Sequence, residues 1–149
     1  MNKKQSLIKL GILNELIFIE KLKNYFSDIK FIKTSQYFAV DFEILNKNNK
    51  NIGWVELKTR QYEYDINLYL SWSKLEYIYQ FEMINVFLIW YHEYKNLYYV
   101  IHLDNDKLIK IKNSKTILSK NQKTLDINKN YSVCCDNVEE VADYIKLCI

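Results

Sequence analysis

The spacing of apolar residues divides the chain into helical and extended segments. Over residues 6–26, Ile8, Ile12, Leu16, Ile19, Leu22 and Phe26 recur at helical spacing, with Ser6 placed to cap the first turn. Glu15 falls inside this apolar stripe, whereas Glu20 lies toward its edge. A carboxylate on a buried face is costly unless something pairs with it, which marks Glu15 as a working residue. Gly11, one turn earlier, is expected to leave room for it. Residues 29–32 predict a short strand, and 33–36 a polar turn. Phe38, Val40, Phe42 and Ile44 then alternate with Ala39, Asp41 and Glu43, which predicts a strand with one apolar face and Asp41 on the other. The Asn- and Lys-rich residues 46–51 predict a hairpin loop that returns the chain antiparallel.

The returning strand, residues 52–60, is apolar and ends in Glu56-Leu57-Lys58-Thr59-Arg60. Side chains in a strand alternate, so Glu56 and Lys58 share a face with the Leu57 backbone between them. Asp41 and Glu56 stand on neighbouring strands joined by a short loop, within reach of one cation. A pair of carboxylates beside an amine supplies the parts for metal-assisted phosphodiester cleavage. An aromatic, polar loop follows at 61–65. Ser71 or Ser73 is placed to cap a helix to about residue 83, and Ser73 with Glu76 fits a capping box. Residues 85–93 and 97–103 predict two strong strands around a turn at 94–96, and 125–127 an edge strand. Asn137 caps a last helix to residue 147, with Val138, Val141, Ala142 and Ile145 inward.

Composition adds boundaries more than function. A chain of 149 residues, 49% of them apolar, fits one domain with a sizeable core and shows no linker or internal repeat. The net charge of +3 is too small to announce a nucleic-acid partner, and only Arg60 among 21 cationic side chains is arginine. Six lysines and no acid lie between residues 107 and 123, a solvated face or a phosphate-contacting one. Cys134, Cys135 and Cys148 lack zinc spacing and read as free, buried thiols of a reducing compartment. There is no signal-peptide pattern, and the longest apolar run, 86–91, is far short of a membrane span. A soluble, intracellular protein without membrane contact is expected. His92 and His102 stand at no ligand spacing and read as structural.

The order helix with Glu15, strand with Asp41, hairpin, strand with Glu56-x-Lys58, helix and two strands resembles the PD-(D/E)XK nuclease superfamily over roughly residues 6–103. Val40 stands where that family's name-giving proline would be. The layout is similar to archaeal-type Holliday-junction resolvases, which share the Gly11-to-Glu15 spacing; Ser35 would correspond to their site serine. Ser73 and Tyr77 have the spacing of a RecB-like motif without its glutamine. The resemblance implies a single α/β domain of restriction-endonuclease-like fold over residues 1–149. Its central mixed sheet would be flanked by helices in the order αβββαββ, with a C-terminal helix. It implies Mg²⁺, replaceable by Mn²⁺, on Asp41, Glu56 and the Leu57 carbonyl with Glu15 completing the shell, and Lys58 beside the attacking water. It further implies a DNA endonuclease acting as a homodimer on duplex or branched DNA. Ser35, Arg60, Tyr62, Tyr64, Lys74, Lys112 and Lys115 are the expected nucleic-acid contacts. A nuclease of RNA or DNA ends and a catalytically silent nucleic-acid-binding or assembly module are the alternatives.

Overall fold

In a computed structural model, residues 2–35, 38–113 and 124–149 are described, the side chains of Leu7, Ile8, Lys112 and Asn113 excepted. The elements in order are α1 (Lys3–Lys23), β1 (Lys30–Lys33), β2 (Phe42–Leu45), β3 (Asn51–Arg60), β4 (Leu68–Ser71), α2 (Trp72–Gln80), β5 (Val86–His92), β6 (Leu97–Leu103), α3 (Asn105–Asn113), β7 (Thr124–Ile127), β8 (Val133–Cys135) and α4 (Val138–Cys148). Six strands form one sheet in the order β1-β2-β3-β5-β6-β8, and β4 pairs with β7 in a second. Only the β3–β5 neighbours in the larger sheet run parallel, so the sheet is mixed. The expected α/β class and central mixed sheet flanked by helices are present.

Burial on both faces puts β5 at the centre. Phe87 and Ile89 enter one core with Phe18, Ile19 and Leu22 of α1 and Val141, Ala142 and Ile145 of α4. Val86, Leu88 and Trp90 enter a second core with Leu75 and Ile78 of α2, Leu108 and Ile111 of α3, and the β4–β7 pair. A continuous apolar run is what a strand covered on both sides requires. β3 comes unusually close to the loop before β5: Trp54 N donates to the Asn85 carbonyl at 3.0 Å. A Cβ on Gly53 would stand 2.8 Å from that same oxygen. Gly53→Ala is therefore expected to lower stability by about 1–3 kcal/mol. At Gly11 an added Cβ meets nothing within 4 Å, so Gly11→Ala should raise stability by about 1 kcal/mol through helix propensity. Thermal melting of both variants checks the pair, and a Gly53→Ala protein as stable as the parent refutes the close approach.

Several sequence expectations are corrected. Gly11 does not make room for Glu15, since its Cβ position is open space. α1 starts at Lys3, because Asn2 accepts from Gln5 N at 2.9 Å and Gln5 returns a bond to Asn2 N, which displaces Ser6 as the cap. Ile12 and Leu16 are exposed, and Phe18 is buried in their place. Phe38 and Val40 pack in the α2-side core while Phe42 and Ile44 pack in the α1-side core, so 38–44 is not one strand. The Thr34 hydroxyl bonds the Val40 and Asp41 carbonyls and bends the chain just before β2. Ser71, not Ser73, caps α2 by accepting from Lys74 N. Of the three free thiols only Cys135 is buried. Part of the lysine-rich stretch is α3, while residues 114–123, with Lys115, lie outside the described residues.

Candidate active site

β2 begins one residue after Asp41, and its first pair is Phe42 with Val55. Beyond that pair, among the described residues, no strand pairs with β3 on its β2 side, although its other edge stays paired with β5 as far as Arg60. Asp41 caps this free edge: its Oδ2 accepts from Leu57 N at 2.9 Å. A residue's N–H and C=O lie on the same strand edge, so the Leu57 carbonyl faces the side on which Asp41 stands. Two hydrogen bonds hold the Asp41 backbone from behind, from Thr34 N and Oγ1 to the Asp41 carbonyl, each at 2.9 Å.

Glu15 reaches the same corner from α1 and Glu56 from the opposite face of β3. Lys33, at the end of β1, donates to Glu15 Oε2 at 2.8 Å and stands 3.9 Å from Asp41 Oδ1. Lys74, on α2, pairs with Glu56 Oε2. Glu56 is only 4% exposed. Burial, with the neighbouring Asp41 carboxylate, pushes it up to about 8 despite the Lys74 ammonium. Glu15 is raised as well, by burial first. Lys58 lies on the Glu56 face, and burial, with Lys74 nearby, lowers its amine below the ordinary lysine value. Among the described residues no hydrogen bond or ion pair holds that amine.

A cleft of about 530 Å³ opens here between Leu10, Gly11, Asn14 and Glu15 on α1 and residues 56–62 of the β3 edge. The four residues singled out by the sequence, Glu15, Asp41, Glu56 and Lys58, are thus brought to one corner. Among the described residues, no three Asp, Glu, His or Cys side chains stand together as a ready metal cage. Lys33 and Lys74 meet the carboxylates instead. Oxygen donors of Asp41, Glu56 and Leu57 suit a hard divalent cation, provided Glu56 exchanges its Lys74 partner.

The outer residues are more scattered. Arg60 folds back on the Thr59 carbonyl at 2.9 Å. Tyr62, at the cleft, and Tyr64 stack on each other with ring centres 5.0 Å apart, both exposed. His92 is buried and meets the Tyr62 carbonyl at 2.7 Å, which pins the start of this loop. His102 meets the Asn85 side chain, so both histidines are structural. Ser35 is exposed, and its neighbour Thr34 is the hydroxyl that orders Asp41. Lys74 points at Glu56, and the Lys112 side chain lies outside the described residues. Lys33 and Thr34 were missed by sequence reasoning. Their signal was register, since Lys33 pairs with Phe42 and so lands beside Asp41. Among the described residues no helix is long and apolar enough to cross a membrane. Comparison with protein-family models, curated proteins and solved structures finds no match to this chain.

Proposed function

We propose that the chain is a metal-dependent endodeoxyribonuclease with a restriction-endonuclease-like fold. The observation that carries this reading is that Glu15 of α1 and Glu56 and Lys58 of β3 line one cleft, with Asp41, just before β2, bonded to Leu57 N at the β3 edge beside it. Asp41, Glu56 and the Leu57 carbonyl would hold Mg²⁺ or Mn²⁺, and Glu15 would complete the shell through water. When bound, the cation supplies a polarised water and neutralises charge at phosphorus. The chain's own part is positional and electrostatic. Lys58 Nζ, whose charged form burial disfavours, orients the attacking water. Lys33 keeps Glu15 and Asp41 from repelling each other, which fixes the carboxylate nearest the substrate. Lys74, once released from Glu56, stands on the α2 side as an ammonium for the phosphate. Arg60 and the Tyr62–Tyr64 stack border the path that a backbone would follow.

The test is incubation with Mg²⁺ or Mn²⁺ and a panel of duplex, flap, four-way junction and single-stranded DNA, with RNA beside them. Cleavage of internal DNA bonds that disappears in Asp41→Ala is the expected result. Cleavage confined to RNA or to ends would replace the substrate assignment. Binding without cleavage under either cation would replace the enzyme with a silent nucleic-acid-binding module.

A further inference from the structure

α1 is apolar on the side that faces away from the protein. Its described buried residues, Phe18, Ile19 and Leu22, pack on the sheet and α4. Leu10, Ile12, Leu13, Leu16 and Ile17 are each between 40% and 52% exposed. At 100° per residue Leu13, Leu16 and Ile17 fall away from the buried trio, and Ile12, about 20° from Ile19, marks the edge of the exposed face. A helix apolar all round is normally covered on all sides. The charged residues on this outer face are Lys9, Glu20 and Lys23, all exposed.

We propose that a second copy of this chain covers the face, with the two α1 helices packed antiparallel about a two-fold axis. The charges select this occupant. The pairs Leu13 with Leu16, Ile12 with Ile17, and Lys9 with Glu20 are all centred on the same point between Asn14 and Glu15. Antiparallel pairing therefore sets Leu13 of each copy against Leu16 of the other and closes both ends with a Lys9–Glu20 ion pair. In this register Lys21 falls across from position 8 and Lys23 from Ser6, so neither is set directly against a lysine. A parallel pair in register would instead set Lys9 against Lys9 and Glu20 against Glu20, which is repulsive. Among the described residues Glu20 pairs with the exposed Lys23 at 3.1 Å, a surface ion pair of little value. The 21 residues of α1 span about 31 Å at 1.5 Å per residue, long enough for both ion pairs to form. Glu15, which lines the cleft, lies about 120–140° around the helix from the Lys9 and Glu20 positions. The inference does not rest on the nuclease reading.

Sedimentation equilibrium of the full chain over a dilution series tests it. Reversible monomer–dimer exchange is the expected result. Leu13→Glu should weaken the dimer by about a hundredfold, since two buried charges enter the interface, with unchanged circular dichroism. Lys9→Glu and Glu20→Lys should each weaken it about tenfold, and the double exchange should restore it. A protein monomeric at every concentration, or a dimer indifferent to Leu13→Glu, overturns the proposal. A double exchange no tighter than the single ones overturns the antiparallel register. A monomer whose α1 face carries it onto anionic vesicles, with Leu13→Glu abolishing that binding, assigns the face to lipid and overturns the second copy.

Discussion

Lys58→Ala is expected to lower the single-turnover rate of DNA cleavage by about three orders of magnitude or more, with a change in substrate affinity below about threefold. The side chain is half-buried beside Glu56, its own charge is disfavoured, and among the described residues no partner holds it. A group so placed contributes to the transition state and little to the ground state, which moves the rate and leaves binding nearly alone. Asp41→Ala should abolish turnover too, for a different reason: it removes the acceptor of Leu57 N–H at the β3 edge together with a cation ligand. Lys58→Arg should not rescue, because a broad guanidinium fork cannot take the place of a compact amine in a corner shared with Lys74. Single-turnover rates in Mg²⁺ and dissociation constants in Ca²⁺, measured on the same preparations, separate the two effects. A Lys58→Ala protein that cuts at the parental rate and only binds less well ends the proposed mechanism.

The residues of this corner were legible because each stood in a short-range pattern. Strand alternation put Glu56 and Lys58 on one face, where both line the cleft; helical spacing put Glu15 on a stripe with Ile12 and Leu16 that is exposed, and Glu15 instead stands at the cleft paired with Lys33. What failed needed information from outside the segment. Val40 and Phe42 have the two-residue spacing of one strand face, yet they enter different cores because Thr34 bends the backbone between them. Ile12 and Leu16 satisfy the helical period, but the sheet and α4 cover only the side carrying Phe18, Ile19 and Leu22. β4 and β8 are short, and each takes its place from one partner, β7 or β6, that is distant in sequence. α3 was hidden by its lysines, although Leu108 and Ile111 carry it into the core. The partners Lys33 and Lys74 could not be read locally. Each is fixed by an element packing onto another, Lys33 through β1–β2 register and Lys74 through α2 lying over β3.

Stability without a divalent cation should fall as pH rises from about 5 to about 8, and Glu56→Gln should flatten that fall. The sign follows from proton binding. In the unfolded chain the Glu56 carboxyl ionises near its ordinary value of 4.5, whereas in the fold it keeps its proton up to about 8. Between those values the folded state holds more protons than the unfolded one, so raising the pH favours unfolding. Glu15, also raised, adds to the fall in the same direction and persists in the Gln variant. The lowered amine of Lys58 acts oppositely, because the folded state then binds fewer protons than the unfolded chain once the amine begins to titrate. The difference between the parent and Glu56→Gln isolates Glu56 from both. Cation binding supplies the second arm. Placing a divalent ion on Glu56 below pH 8 releases its proton, so the dissociation constant for Ca²⁺ should tighten by up to about tenfold per pH unit until the carboxyl is ionised. Melting temperatures across this range, with calorimetric titration of Ca²⁺ at two pH values, read both arms. Equal slopes for parent and Glu56→Gln would mean that Glu56 is already ionised in the fold, with Lys74 outweighing burial, and would remove the pH gate on the site.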